Sequence, residues 1–457
     1  MTHRRAVPSL LVRGGSILLL ILATTVPSAP LGAASRPPAQ GTGGAVASDE
    51  LLATEVGLEI LRQGGNAADA AVATALALVV VEPEAGNLGG GGLAVIKFGD
   101  EIAYLDFRET APAAARRDTY LDEAAEPVPD ASLVGPLAAG VPGSPSGLFA
   151  LHERFGQLTW AAVVEPARRL AAEGFEVSRR LQKGLEAKRE VLARFPETAD
   201  VWLPGGEPLA AGTKLRLPEL AATLKDYAAQ GPAAITEGER ARAIETLSSR
   251  YGGILTAADL AAYEPVWRQP VRFEAFGWQV ASADLPSSGG ILLGSAAALV
   301  DRLAWNEQPR FGAERAHLIA ESWRRAFADR FLLGDPSTTQ ARANELLAES
   351  WLDRRAASVK PRQASASDGI EPWRGAAQAA AGSAESGDTT HLSAVDAEGN
   401  IVALTTTLNG LFGCSLYVPE VGFFLNNEMD DFATAPGRPN LYGLVQGEAN
   451  EVRPGKR

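Results

Sequence analysis

Thr389 stands at the junction of two unlike stretches. Before it, residues 361–388 are rich in Ala, Ser, Gly and Gln and poor in large apolar side chains. Such a composition predicts a mobile, exposed linker, too weakly apolar to offset the entropy of ordering. After it, Thr389-Thr390-His391-Leu392-Ser393-Ala394-Val395-Asp396 alternates as a strand. Ala397-Glu398-Gly399-Asn400 reads as a turn, and Ile401 to Leu408 as a second, β-branched strand. A cut between Asp388 and Thr389 would give one residue both a hydroxyl nucleophile and a free α-amine. That amine, with an ordinary pKa of about 7.7–8.0, is a competent base near neutral pH. The same hydroxyl could make the cut by attacking the Asp388 carbonyl. A Thr that opens a strand is also an ordinary strand residue, so position alone leaves both readings open.

Other reactive residue types are spaced against the commoner chemistries. Cys414 is the one cysteine, which excludes an intrachain disulfide framework and any CxxC zinc or redox motif. His3, His152, His317 and His391 lie too far apart for a local metal motif, and His152-Glu153 lacks the second His of a zincin helix. The glycine cluster Gly86 to Gly92 runs from helix to strand and lacks a Gly-Lys-Ser/Thr ending. Phosphate-binding loops run from strand to helix, so close backbone packing is the expected reason for these glycines.

The elements that would position Thr389 follow from periodicity and composition. The chain has 457 residues, 46% of them hydrophobic and 21% charged, as in an ordinary globular protein. That length is a soft prior of about three domains or one large layered one. A net charge of −13 argues against nucleic acid as a partner. Arg4, Arg5 and Arg13 precede the apolar run Ile17 to Ala23, and the small residues Gly32 to Ser35 follow. This predicts a signal peptide over residues 1–34 and a periplasmic or secreted protein that touches the membrane only through that segment. Ser48, Asp49 and Glu50 supply capping chemistry for a first helix carrying Leu52, Val56 and Ile60, which Gly64-Gly65 ends. Asn66 caps a second helix over Ala67 to Val81, apolar nearly all round and so buried. Leu93 to Phe98 and Ile102 to Asp106 read as a hairpin, Gly147 to about Val359 as mostly helical, and Phe423 to Leu425 as a further strand. Helices in one block with strands on either side predict an α+β layered fold.

Several long strings resemble the gamma-glutamyltransferase family in content and order: GGNAADAAVATALALVVVEPEAGNLGGGG, LDFRETAP, PSSGG, ADRFLLGDP, DTTHLSAVDAEGN, TLNGLFG, LNNEMDDF and NLYGLVQGEAN. The resemblance runs from about Gly44 to Arg457. It implies an αββα sandwich of the N-terminal nucleophile hydrolase type, a precursor that cuts itself between Asp388 and Thr389, and Thr389 as nucleophile. It implies a large-subunit region at 35–388, a small-subunit region from 389, and association of the two after cleavage. Arg108 matches the family's arginine for the substrate α-carboxylate, a role suited to a guanidinium that donates two parallel hydrogen bonds. An ion pair with Asp106 or Glu109 is the structural alternative. Thr407 and Asn409 match residues that hydrogen-bond the nucleophile and the glutamyl group. Glu428 and Asp431 match carboxylates that hold the α-ammonium, and Tyr442 aligns with a lid-loop aromatic. An acidic cluster also suits a glycosidase pair or a calcium loop, but the EF-hand spacing is absent and so long a match favours the glutamyl role.

The reaction implied is transfer of the γ-glutamyl group from glutathione or a similar small amide to water or an amino acid, with no cofactor and no metal. Some relatives are glutaryl-type acylases. Arg108 with Glu428 and Asp431 favours a glutamyl group, because a glutaryl group has no α-ammonium. The sequence ends in RPGKR at Arg457, where the family continues into a Pro-Leu-Ser-Ser segment and later a Gly-Gly pair that supplies oxyanion-hole amides. The expectation is therefore a sandwich missing its C-terminal elements, with 389–457 an incomplete start of the small-subunit region. Such a chain is either a self-processing transferase lacking a piece or an inactive remnant of the family. Gly410-Leu411 and Cys414 depart from positions where relatives often carry hydroxyl residues.

Overall fold

The alternation on either side of Gly399 becomes the middle of a six-stranded antiparallel sheet. The computed structural model describes residues 40–375, 389–433 and 450–457, and from Thr42 onward they form one unit. The predicted signal peptide, Asp388 and Tyr442 lie outside the described residues. The strands are β1 (Gly44–Ala47), β2 (Gly91–Phe98), β3 (Glu101–Phe107), β4 (Val266–Arg268), β5 (Thr389–Asp396) and β6 (Ile401–Thr407), in the order β1-β5-β6-β2-β3-β4. The β5–β6 hairpin is thus paired on both flanks, with β1 on one side and β2 on the other.

One face of the sheet is apolar and buried. Leu392, Ala394, Val402, Leu404, Ala94, Ile96, Leu105 and Phe107 line it. Helices α2 (Ala67–Val81) and α3 (Ser144–Phe155) pack there, and α1 (Leu51–Arg62) and α4 (Trp160–Glu173) pack on α2. Every residue of α2 is buried, as its all-round apolar sequence requires. Each fully buried Leu or Val contributes about 1.5–3 kcal/mol relative to exposure. Its N-terminus is fixed by the Asn66–Asp69 capping box. Asp69 also accepts from the Gln157 and Leu158 amides, and Asp396 from β5 accepts from the Ala67 amide, so helix, loop and sheet are locked at one corner. Burial pushes the Asp69 carboxyl up, but its bonds to His152 and these backbone amides hold it below its ordinary range. On the other face Leu93, Val95, Val395 and Ala403 are half-buried and Ile401 is exposed.

The expected hairpin at Gly99-Asp100 and the helix over Ala67 to Val81 are both present. Three features differ. The first helix starts at Leu51, and Ser48 does not cap it; the Ser48 hydroxyl donates to the Glu50 carbonyl instead. The stretch read as mostly helical holds β4 and a hairpin, Val271–Ala275 with Trp278–Ser282, whose largely half-exposed strands give only a weak apolar alternation. The expected mobile linker is anchored as far as residue 375. The Ser365 and Trp373 amides donate to Glu321 and Asp329, and Arg355 donates to the Glu371 carbonyl. Those partners belong to the buried ion pairs Glu321–Arg325 and Asp329–Arg355, which need such hydrogen bonds to be tolerated away from water. Composition does not reveal that requirement.

Candidate functional site

Antiparallel register gathers the chemistry at one end of the sheet. Thr389 pairs with Thr407, and Thr407 with Gly91 on its other side. Gly92 pairs with Phe107, which puts Arg108, one residue past β3, at the level of Gly91. Thr389 and Arg108 are therefore three strand spacings apart, roughly 14 Å of backbone. The glycines at this end are explained by close packing, as expected. A Cβ on Gly90 would sit 2.1 Å from the Thr407 carbonyl oxygen, and one on Gly89 2.0 Å from that of Phe424.

At the Thr389 end the polar groups form a short relay. Thr389 Oγ1 and Thr407 Oγ1 are 3.1 Å apart. Thr407 Oγ1 also accepts from the Asn409 amide at 2.9 Å. With that lone pair engaged, Thr407 is placed to donate its own proton to Thr389 and so orient the Thr389 hydroxyl. Asn409 has φ +72°, a left-handed conformation that Asn tolerates better than most residues. Its side chain donates to the Asn427 carbonyl at 2.9 Å, and Asn427 Oδ1 accepts from the Gly410 amide at 2.9 Å.

The next residue after Asn427 opens the other half of the site. Glu428 and Asp431, on a single 3-10 turn, both ion-pair with Arg108. Both acids take the same nitrogen, Nη2, so the rest of the guanidinium fork remains available to a ligand. These three side chains line a small cavity of about 90 Å³ together with Glu109, Arg330, Phe432 and Arg457. Thr389, Thr407 and Asn409 are not part of its lining. The loop from Asn426 to Asp431 joins the two halves: Asn426 donates to the Gly89 and Gly140 carbonyls, and Asn427 reaches the β6 end.

The charges in this cavity are not matched one to one. Glu109 is buried, and among the described residues neither of its carboxyl oxygens has a hydrogen-bond partner. Burial pushes it up to about 7 against the pull of Arg108. Burial likewise holds Glu428 well above the carboxylate range; Arg108 opposes this, while Glu109 and Asp431 reinforce it. Glu109 and Glu428, crowded around one paired guanidinium, thus retain a proton near neutral pH. Burial alone would lower the Arg108 pKa, but Glu428, Asp431 and Glu109 together raise it above its ordinary value, so Arg108 stays cationic.

Of the residues singled out in sequence, Arg108, Glu428 and Asp431 are brought together, as are Thr389, Thr407 and Asn409. The structural alternative for Arg108 does not hold for its side chain. Asp106 pairs with Arg268 and Arg457, and accepts only the Arg108 backbone amide. Asn426, Asn427, Glu109 and Arg330 were not anticipated as part of the site. The LNNEMDDF string contained the two asparagines, but the segments they join share no local sequence signal.

Known proteins resemble the chain over most of its length. Residues 53–457 match the sequence family described as Gamma-glutamyltranspeptidase. The chain is 39% identical over 418 residues to the glutathione hydrolase proenzyme of Pseudomonas aeruginosa, covering 91% of this chain and 72% of that one. Among solved structures, the Helicobacter pylori gamma-glutamyltranspeptidase superposes with a TM-score of 0.71 at 33% identity, covering 74% of this chain and 97% of that chain. The cephalosporin acylase from Bacillus halodurans gives 0.77 at 26% identity, covering 93% and 75%. The layered α+β arrangement is that of the N-terminal nucleophile hydrolases.

Proposed function

The chain belongs to the gamma-glutamyltranspeptidase family, and on that premise we propose that it is an exported, self-processing γ-glutamyltransferase and glutathione hydrolase. The observation that carries this reading is the Arg108–Glu428–Asp431 group. One guanidinium edge and two acids, in one cavity, are complementary to the zwitterionic head of a glutamyl group. The acids give up Arg108 Nη2 to take the α-ammonium, and Arg108 takes the α-carboxylate.

In maturation, Thr389 Oγ1 attacks the carbonyl carbon of Asp388. The peptide nitrogen leaves as the α-amine of Thr389, and water cleaves the resulting ester. In turnover the same oxygen attacks the γ-glutamyl amide, its proton passing to the Thr389 α-amine and then to the departing amine. Water or an amino acid displaces the acyl group and regenerates Thr389. Thr407 orients the attacking oxygen, and Asn409 holds Thr407 in place. The separation of Thr389 from Arg108 across three strands suits a substrate whose reacting carbonyl and charged head lie at opposite ends of a short chain. Export rests on the basic, apolar and small-residue order of the first 35 residues.

The test is denaturing electrophoresis with N-terminal sequencing of the expressed protein. We expect a fragment beginning at Thr389 and hydrolysis of a γ-glutamyl anilide. Thr389→Ala should leave one uncut chain and no turnover, and normal cleavage of that variant would sink the assignment. The superposition on a cephalosporin acylase favours one second reading, action on a glutaryl amide. Faster cleavage of a glutaryl than of a γ-glutamyl anilide would select it.

A further inference from the structure

The cavity that holds Arg108 contains a second guanidinium that has no hydrogen-bond or ion-pair partner among the described residues. Arg330 follows the helix Ala313–Asp329 and opens a 3-10 turn, Arg330–Leu332. It is half-buried and lines the same cavity as Arg108, Glu428 and Asp431. Among the described residues its side chain makes no hydrogen bond and no ion pair. Burial lowers its proton affinity and the neighbouring Arg108 lowers it further, while Asp431 acts the other way. Arg457 lines the cavity too, but it is engaged by Asp106, Tyr263 and the Glu264 carbonyl. A half-buried cation with no direct hydrogen-bond or ion-pair partner is costly, and a ligand anion reduces that cost.

We propose that Arg330 is a second carboxylate-binding cation of this site, gripping the α-carboxylate of the γ-glutamyl group together with Arg108. The proposal rests on the γ-glutamyl reading above and adds a residue to it. Two arginines on the carboxylate and two acids on the ammonium give the head group a separate partner for each charge. Asp431, which acts electrostatically on both arginines, lies where the two halves of that zwitterion meet. A donor lacking the carboxylate would bring Arg330 no anionic partner.

The experiment compares γ-glutamyl para-nitroanilide with γ-aminobutyryl para-nitroanilide, which keeps the amine and lacks the carboxylate. Arg330→Met should raise KM for the first roughly 10- to 100-fold, the scale of a lost charged hydrogen-bond pair. KM for the second should stay within about twofold, and kcat for both should change little. Arg330→Lys, which keeps the charge but loses the fork, should fall between, and it carries the comparison if the methionine variant does not fold. Equal losses on both donors, or an unchanged KM for the γ-glutamyl donor, overturn the proposal. If the wild-type protein cleaves neither anilide, the γ-glutamyl reading fails on its own. The Arg330 assignment is then judged by calorimetry of L-glutamate and γ-aminobutyrate binding. Arg330→Met must weaken glutamate about tenfold and leave γ-aminobutyrate unaffected; any other result overturns it.

Discussion

Thr389 faces Thr407 because two strands pair in a fixed register, whereas Arg108 faces Glu428 and Asp431 because charged side chains from distant segments offset one another. The first arrangement is local to the sheet end. Its groups are neutral, its spacing is set by backbone hydrogen bonds, and the glycines behind it leave no slack. The second is assembled from residues 323 positions apart, and its protonation is shared among several carboxyls. Placement by register is precise and brittle. Placement by charge tolerates side-chain motion but answers to pH and to ligand.

The largest effect is expected where register is broken. Gly90→Ala would drive a methyl into the Thr407 carbonyl, 2.1 Å from its Cβ position. We expect a loss of about 3 kcal/mol in unfolding free energy, together with loss of cleavage at Thr389 even in the chains that remain folded. Thermal denaturation and electrophoresis read these two, and a normally matured Gly90→Ala protein would show that the sheet end is not brittle. Arg108→Ala should strike only the other half. Cleavage at Thr389 should proceed normally, while KM for a γ-glutamyl donor rises about 100-fold. Failure of that variant to mature would erase the distinction between the halves.

The smallest effect sharpens the comparison through pH. Burial pushes Glu109 up to about 7, so it is mostly protonated at pH 6. An arriving ammonium favours its ionised form, and binding therefore expels the proton and strengthens as pH rises. The KM of a γ-glutamyl donor should fall about 3- to 10-fold between pH 6 and pH 8 and then level off. Glu109→Gln should flatten that dependence. A KM that rises over the same window would refute the charge account, whatever happens to kcat through the Thr389 amine.

The parts legible in sequence were those fixed by neighbours along the chain. Asn66 ahead of an apolar run announced the capped α2, though not the reciprocal bond from Asp69, and the turn at Gly99-Asp100 announced β2 and β3. The site was legible in a different way. Resemblance named Arg108, Glu428 and Asp431, but nothing near any of them in sequence indicates that both acids share one nitrogen of the arginine. Glu109 adjoins Arg108 and read only as a structural partner, because its role depends on burial without hydrogen bonds. Arg330 stood within the ADRFLLGDP string with no feature to single it out, since a lack of partners exists only in the folded chain. The short strands from Val266 to Ser282 were missed because β-structure of three to five residues with half-exposed faces carries little alternation.

The order of strands in the sheet also has a kinetic consequence. β1 and β2 are made early in synthesis, yet the β5–β6 hairpin that separates them begins only at Thr389, far along the chain, as the Ala67–Asp396 contact at a separation of 329 illustrates. Contacts this distant along the chain slow folding, because the loop must close before its contacts repay the entropy. Until then the sheet lacks its middle, and Thr389 has neither β1 nor β2 to hold it in place. The late hairpin therefore acts as a timer: the hydroxyl proposed to cut the chain comes into position only when the last insertion into the sheet is made.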